Sequence, residues 1–252
     1  PFHRVMVVAL EKGAELEFVE ELSGGGTDAR SWGLWLVRAA GGASAKVSAV
    51  QLLEAGTRAF ERRYLSAAAS AQVDLLETAV GAGQWQGRVE TECFGPGARV
   101  GVKAAVRGAG SQQFDFWVTA RHGVERSSSA VEHWAAVGGR AKSTFNGNLV
   151  ITHEGVKTDA FQKSRGLLLS REAQANAVPK LEIATDDVAC AHGASVAPIG
   201  DEQLFYLESR GLPRAEAERM IIDGFIEPVA SLLPSDGLRA RIQDRIQSEV
   251  RP

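Results

Sequence analysis

The chain contains no run of about 18 consecutive apolar residues, the minimum for a bilayer-spanning helix, so no transmembrane segment is expected. Its first residues, PFHRVMVVALEKG, lack the long apolar core and small-residue cleavage site of a secretory signal. Cysteine is scarce. Cys93 and Cys190 cannot build a disulfide framework, which fits a reducing cytoplasm. The formal net charge is -3 with no broad basic field, which argues against nucleic acid as a partner. Catalytic and ligand signatures are missing too: there is no CxxC, HxxxH, HExxH or GxSxG motif, and no phosphate-binding GxxxxGK[ST] loop. The triple glycine Gly24–Gly26 precedes no helix and reads as a loop. Hairpin signals are few, and the one Asn-Gly, Asn146–Gly147, sits inside the apolar run FNGNLVI.

What is present is a long series of short strand-like runs. With 252 residues, 44% apolar and 23% charged, the chain can bury a large core. From Val5 to about Ile199, segments such as VMVVAL, AELEFVEEL, WGLWLV, AQVDLLETAV, ARVGVKAAV and QFDFWVTA alternate with Gly/Ala/Ser-rich turns. Only TRAFERRY, Thr57–Tyr64, would make a helical turn, and it reads equally well as a charged edge strand. A weak small–Ala–polar–apolar repeat runs through GAEL at Gly13, SAKV at Ser44, SAQV at Ser70 and GARV at Gly97, with a degenerate RAKS at Arg140. The first four starts are 26–31 residues apart, a period that suggests stacked coils. Strand-rich coils with small corners fit a right-handed parallel β-helix, in which each coil buries its face only against its neighbours. The alternative on pattern alone is a twisted antiparallel sandwich with coincidentally spaced turns.

After Gly200 the period changes to that of helices. DEQLFYLESRG ends at a C′ glycine, Gly211, and Pro213 opens the next helix, where its missing N–H is harmless. Met220, Ile221, Phe225, Val229 and Leu232 form an apolar stripe on that helix, and Pro228 predicts a kink. Ser235 or Asp236 caps a last helix whose Leu238, Ile242, Ile246 and Val250 recur every four residues. These stripes fit packing between the helices or contact with a partner protein. The expected division is a β-helix over 1–199 and a C-terminal helical domain over 200–252.

The most suggestive chemistry lies at Cys190 and His192. On a strand, residues i and i+2 share a face, so thiol and imidazole stand side by side as a pair of soft metal ligands. A closed zinc or iron–sulfur site needs about four donors. Cys93, His122, His133 and His153 show no ligand spacing relative to one another. The missing donors therefore come from distant coils or from another chain, or there is no metal. Asp186–Asp187 reads as a turn cap more readily than as a catalytic base.

The run PKLEIATDDVACAHGASV from Pro179 to Val196, followed by IGDEQLFYLESRG from Ile199 to Gly211, closely resembles the core signature of the SufB/SufD family of iron–sulfur cluster assembly scaffolds. The resemblance reaches upstream through Phe145-Asn146-Gly147, Thr158-Asp159-Ala160, Gln162 and Leu167–Ser170, and downstream through Ala217–Phe225. It is SufD-like. SufB carries a glutamate after the motif histidine and a cysteine three residues before the LLL run, where this chain has Gly193 and Ser164. The resemblance implies a scaffold without catalysis of its own. It implies pairing with SufB through the β-helix ends, with His192 and Cys190 contributing to an iron or iron–sulfur site that is transient and shared across the interface. It also implies a SufC ATPase docking on the C-terminal helices from about Gly200 to Val250. Whether the chain pairs with itself as a homodimer when SufB is absent is left open by the sequence. Family members usually carry an N-terminal helical domain, which is missing here, and the opening on Pro1 rather than Met fits that expectation. Two other readings stand beside this one. One is a purely structural β-helix module without metal chemistry. The other is a β-helix polysaccharide lyase, which would need clustered carboxylates or a calcium site recurring at the coil period; no such acidic cluster recurs.

Overall fold

The computed structural model of the chain describes residues 1–248. Fourteen strands come first: β1 Phe2–Leu10, β2 Glu15–Gly24, β3 Arg30–Ala39, β4 Ser44–Leu53, β5 Arg58–Ala67, β6 Gln72–Gly81 and β7 Gln84–Cys93. They continue as β8 Arg99–Gly108, β9 Gln113–His122, β10 Ser128–Val137, β11 Lys142–Ile151, β12 Asp159–Leu168, β13 Gln174–Ile183 and β14 Ala189–Pro198. Three helices follow, α1 Asp201–Ser209, α2 Arg214–Ala230 and α3 Asp236–Ser248. Odd-numbered strands form one seven-stranded sheet, β1 to β13 in order, and even-numbered strands form the other, β2 to β14. Every pair is parallel. The chain is a parallel β-helix in which each coil supplies one strand to each sheet. The sandwich alternative is excluded.

Register partners lie 26–32 residues apart, which is the length of a coil. The repeat that the sequence shows is real, but two of its members are out of register. Glu15 pairs with Ser44, Ser44 with Gln72 and Gln72 with Arg99, so the true corner in the second coil is GASA at Gly42, not SAKV at Ser44. The RAKS echo at Arg140 belongs to the opposite corner, leading into β11. The reason for the repeat is backbone geometry. The corners entering β2, β4, β6, β8, β10 and β12 each hold one residue in the left-handed region, Gly13, Gly42, Ser70, Gly97, Arg126 and Lys157, all with φ between +55° and +71°, and the bend before β14 holds none. Glycine takes that conformation without steric cost, and the small residue that follows (Ala43, Ala71, Ala98 or Ser127) is buried in the wall.

The two sheets differ on their outer faces. In β5, β7, β9 and β11 buried and more exposed residues alternate strictly, because one face meets the core and the other meets solvent. In β6, β8 and β10 the second half is buried on both faces. The outer side of these strands is covered by α2 and α3: Val50, Leu76, Val80, Ala105, Trp134 and Ala136 share one apolar cluster with Ile222, Ile226, Val229, Leu233, Leu238, Ile242 and Ile246. The helices therefore lie along a sheet face rather than over the end of the coil stack. The stripe on α2 is rotated from the one expected, since Met220 and Leu232 are exposed while Ile222 and Ile226 are buried. The helix runs on through Pro228 to Ala230. Ser235 caps α3, its Oγ accepting from the Leu238 N–H at 3.2 Å. Val250, expected to extend this stripe, lies outside the described residues.

TRAFERRY is neither helix nor edge. It falls in β5, which pairs with β3 on one side and β7 on the other. Its Glu61 and Arg63 point into the core, where they join a buried ionic network spanning three coils. Arg63 donates to Glu61 Oε2 at 2.9 Å and to Glu77 Oε2 at 3.1 Å, and its guanidinium lies 4.0 Å from the centre of the Trp35 ring. Gln51 donates to Glu77 at 3.1 Å, Arg4 to Glu61 at 2.5 Å, and Arg4 also faces Glu20 at 3.5 Å. Gly33 makes room for this network. A Cβ there would lie 1.9 Å from Glu61 Oε2 and 2.7 Å from Arg4 Nη2. Gly33→Ala is therefore expected to break the Arg4–Glu61 pair and destabilise the chain by about 1–3 kcal/mol, read as a lowered denaturation midpoint. An unchanged midpoint would show that the network shifts freely.

Candidate functional site

Cys190 and His192 lie on β14, the last strand of its sheet, which pairs only with β12. Cys190 is partly buried and packs against the interior core, which fixes the inward direction of the row that it shares with His192. His192 is exposed. Their register partners are Ala160 and Gln162. Burial pushes the Cys190 thiol up, opposed by a hydrogen bond from the Ala160 backbone, so binding a metal through this sulfur must release a proton. Among the described residues no group of three or more His, Cys, Asp or Glu could hold a metal ion. The pair is half a ligand set.

The structure separates the other histidines from this pair. His122 is buried, and its two ring nitrogens face Ser127 Oγ and Ser129 Oγ at 2.8 Å each. Burial lowers its pKa to about 4, so it is neutral and structural. His133 is lowered to about 3 by burial and stacks between Phe116 and Phe145, with ring centroids at 5.8 and 5.0 Å. Its Nδ1 lies 3.0 Å from Ser164 Oγ. Cys93 is buried at the register position of His122, its thiol pushed up to about 12 by burial. His153 sits in the corner between β11 and β12, and Asp186–Asp187 form the bend that leads into β14. None of these joins Cys190 and His192.

Two inward polar residues on β12 make contacts that local sequence does not show. Ser164 stands where the resemblance places the SufB cysteine, and it is buried against His133. Gln162, directly under His192 in the register, is buried and donates through Nε2 to the Lys180 carbonyl of β13 at 2.7 Å. It thereby ties β12 to the end strand β13 of the other sheet. The signal in the sequence is alternation, since Ala160, Gln162 and Ser164 fall on the row where every other coil places a core residue.

At the open end of the coil stack β13 and β14 each have one neighbour in their sheet. Their outer edges present unpaired backbone N–H and C=O groups, a template for a strand from another chain. Pro179, in the middle of β13, is tolerated because that strand is an edge.

Residues 1–225 match the family described as SUF system FeS cluster assembly, SufBD core domain. The chain is 34% identical over 212 residues to the iron-sulfur cluster assembly protein SufD of Bacillus subtilis (strain 168), covering 83% of this chain and 48% of that protein. It is 38% identical over 114 residues to SufD of Escherichia coli (strain K12), covering 45% of this chain and 27% of that protein. Against protein ABCI7, chloroplastic, of Arabidopsis thaliana it is 25% identical over 243 residues, covering 95% of this chain and 51% of that protein. The chain spans about half the length, or less, of these curated relatives. It belongs to the SufBD core family and is SufD-like.

Proposed function

We propose that this chain acts as a SufD-like scaffold subunit, without catalytic activity of its own, on which iron–sulfur clusters are assembled in the cytoplasm. The observation that carries this reading is the position of Cys190 and His192 on an exposed edge strand, two donors short of a closed site. An incomplete set at an unpaired edge is suited to completion by a second chain, here SufB. Iron and sulfide are the cargo. A neutral imidazole and a thiolate suit iron. The SufC ATPase would dock on the helices through apolar side chains that the sheet leaves uncovered, Phe205, Tyr206, Met220 and Leu232. No helix is long and apolar enough to cross a membrane among the described residues.

The test uses the chain co-expressed with SufB and SufC and purified anaerobically. Because His192 is exposed, His192→Ala should leave stability within about 0.5 kcal/mol of the parent and leave pairing with SufB intact. Iron and sulfide per complex should fall several-fold. Cys190→Ser should do the same or less. Full loading of the His192→Ala complex would overturn the assignment, and Cys190 would then be packing.

A further inference from the structure

We infer that the outer face of β1, β3 and β5 is a docking surface for an acidic amphipathic helix of a partner protein. This face lies on the sheet opposite the one that α2 and α3 cover. At its centre are Val5, Val7, Trp32, Leu34, Leu36 and Phe60, with Val5 70%, Val7 67% and Trp32 44% exposed. Trp32 and Phe60 stack with centroids 4.4 Å apart, presenting a rigid aromatic ledge. The rim is basic. Arg30 and Arg58 stand at one end of the strands, Arg38 at the other, and Arg62 beside the centre. No carboxylate points outward from these three strands, since the only acidic residue in them, Glu61, is buried in the core. Glu90 on β7, 3.9 Å from Arg62, is the nearest acidic neighbour. A basic rim on a chain of net charge -3 is a local feature, not a general field.

Shape and precedent point to a helix. Outward residues on β1 from His3 to Val7 span roughly 13 Å along the strand, and three strands span roughly 10 Å across. That is the footprint of about two and a half helical turns, enough for i, i+3/i+4 and i+7 anchors. A cavity of about 510 Å³ opens here, lined by Val5, Trp32, Phe60, Arg62 and Arg88 and by Glu61, whose charge Arg4 and Arg63 offset, and it can receive such anchors. The opposite sheet shows how this solenoid buries an apolar outer face, with α2 and α3 laid along it and Arg241 of α3 paired to Glu21 of β2. On this face the sheet itself supplies the arginines, so the incoming helix must supply the carboxylates.

The experiment measures anisotropy of a labelled synthetic helix of about five turns, carrying leucines at i, i+3, i+4 and i+7 flanked by glutamates, against the intact chain. A Kd on the order of 10 µM is expected, as for a small interface. Raised salt should weaken it, as should Arg58→Glu/Arg62→Glu, by at least about tenfold. Leu36→Lys should weaken it independently of the arginines, and circular dichroism should show both variants folded. The same peptide with lysines for glutamates should not bind. Equal binding of the two peptides, or binding unchanged in the variants, would overturn the proposal. So would no binding of the glutamate peptide. Association with phosphatidylserine vesicles in preference to the peptide would replace it with a membrane surface. Self-association lost in Leu36→Lys would replace it with a second copy of this chain.

Discussion

Arg63→Met should lower the unfolding free energy at pH 8 by about 3–5 kcal/mol, the usual effect of leaving buried carboxylates without their cation. Arg63 is 1% exposed and serves Glu61 and Glu77, both inside the coil. With all five groups ionised, Arg4 and Arg63 face Glu20, Glu61 and Glu77, an excess of one negative charge. The structure relieves that excess at Glu77. Burial outweighs the attraction of Arg63 and pushes its pKa from 4.5 up to about 7. Between those two values the folded chain holds a proton that the unfolded chain has lost, so Glu77 makes stability fall as pH rises. Its full contribution is on the order of 3 kcal/mol, present below about pH 4.5 and lost above about 7. The buried histidines act in the opposite sense. His122 and His133, depressed from 6.5 to about 4 and about 3, make stability rise as pH rises toward 6.5. Wild-type melting alone therefore mixes the two effects. Glu77→Gln separates them, because the amide still accepts from Arg63 and leaves two positive charges against two negative. The stability of Glu77→Gln relative to wild type should improve steadily from pH 5 to pH 8, with the histidine slope common to both. Parallel profiles would show that Glu77 titrates normally. An Arg63→Met loss below about 1 kcal/mol at pH 8 would show that water reaches the network.

That network explains why TRAFERRY resisted reading. In most odd strands one set of alternate residues is apolar, and hydropathy alone marks the inward face. In β5 the set Glu61, Arg63 and Leu65 is as charged as the set Arg58, Phe60 and Arg62. Only the position of Glu77 in the next strand shows which arginine is inside, and local sequence does not contain that distance. The corner repeat was legible because a left-handed residue followed by a small buried one is a local demand. It slipped by two residues in the second coil because Gly42-Ala43-Ser44-Ala45 satisfies the pattern in two registers. On α2, Met220 and Phe225 are as apolar as Ile222 and Ile226, so period alone could not choose between two overlapping stripes. At the site, the shared face of Cys190 and His192 follows from strand geometry and was legible. That β14 is an edge, that Gln162 lies beneath His192 and that Ser164 holds His133 all depend on which coil is last.

The position of α3 changes what a truncation can report. If α3 served only the ATPase contact, a cut after Leu233 would leave the β-helix intact. In the structure Leu238, Ile242 and Ile246 are each 4% exposed or less, in one cluster with the outer residues of β4, β6, β8 and β10. Arg245 Nη2 donates to the Leu53 carbonyl at 2.7 Å, and Arg241 pairs with Glu21. Each buried aliphatic side chain is worth about 1.5–3 kcal/mol in transfer free energy. The ordering entropy of the helix offsets much of that sum. A net loss of a few kcal/mol lowers the midpoint of a chain this long by about 5–15 °C. The truncated chain should show that fall and bind a hydrophobic dye through the bared sheet. Loss of ATPase pull-down after such a cut would then reflect damage to the scaffold as much as loss of a docking site. Substitution of the uncovered residues separates the two. Phe205→Ala, Tyr206→Ala and Leu232→Ala remove side chains that are 73%, 57% and 51% exposed, so the midpoint should stay where it is while SufC retention falls. A truncated chain with an unchanged midpoint and no dye binding would show that α3 merely rests on the sheet, and the pull-down of the truncation would then be read at face value.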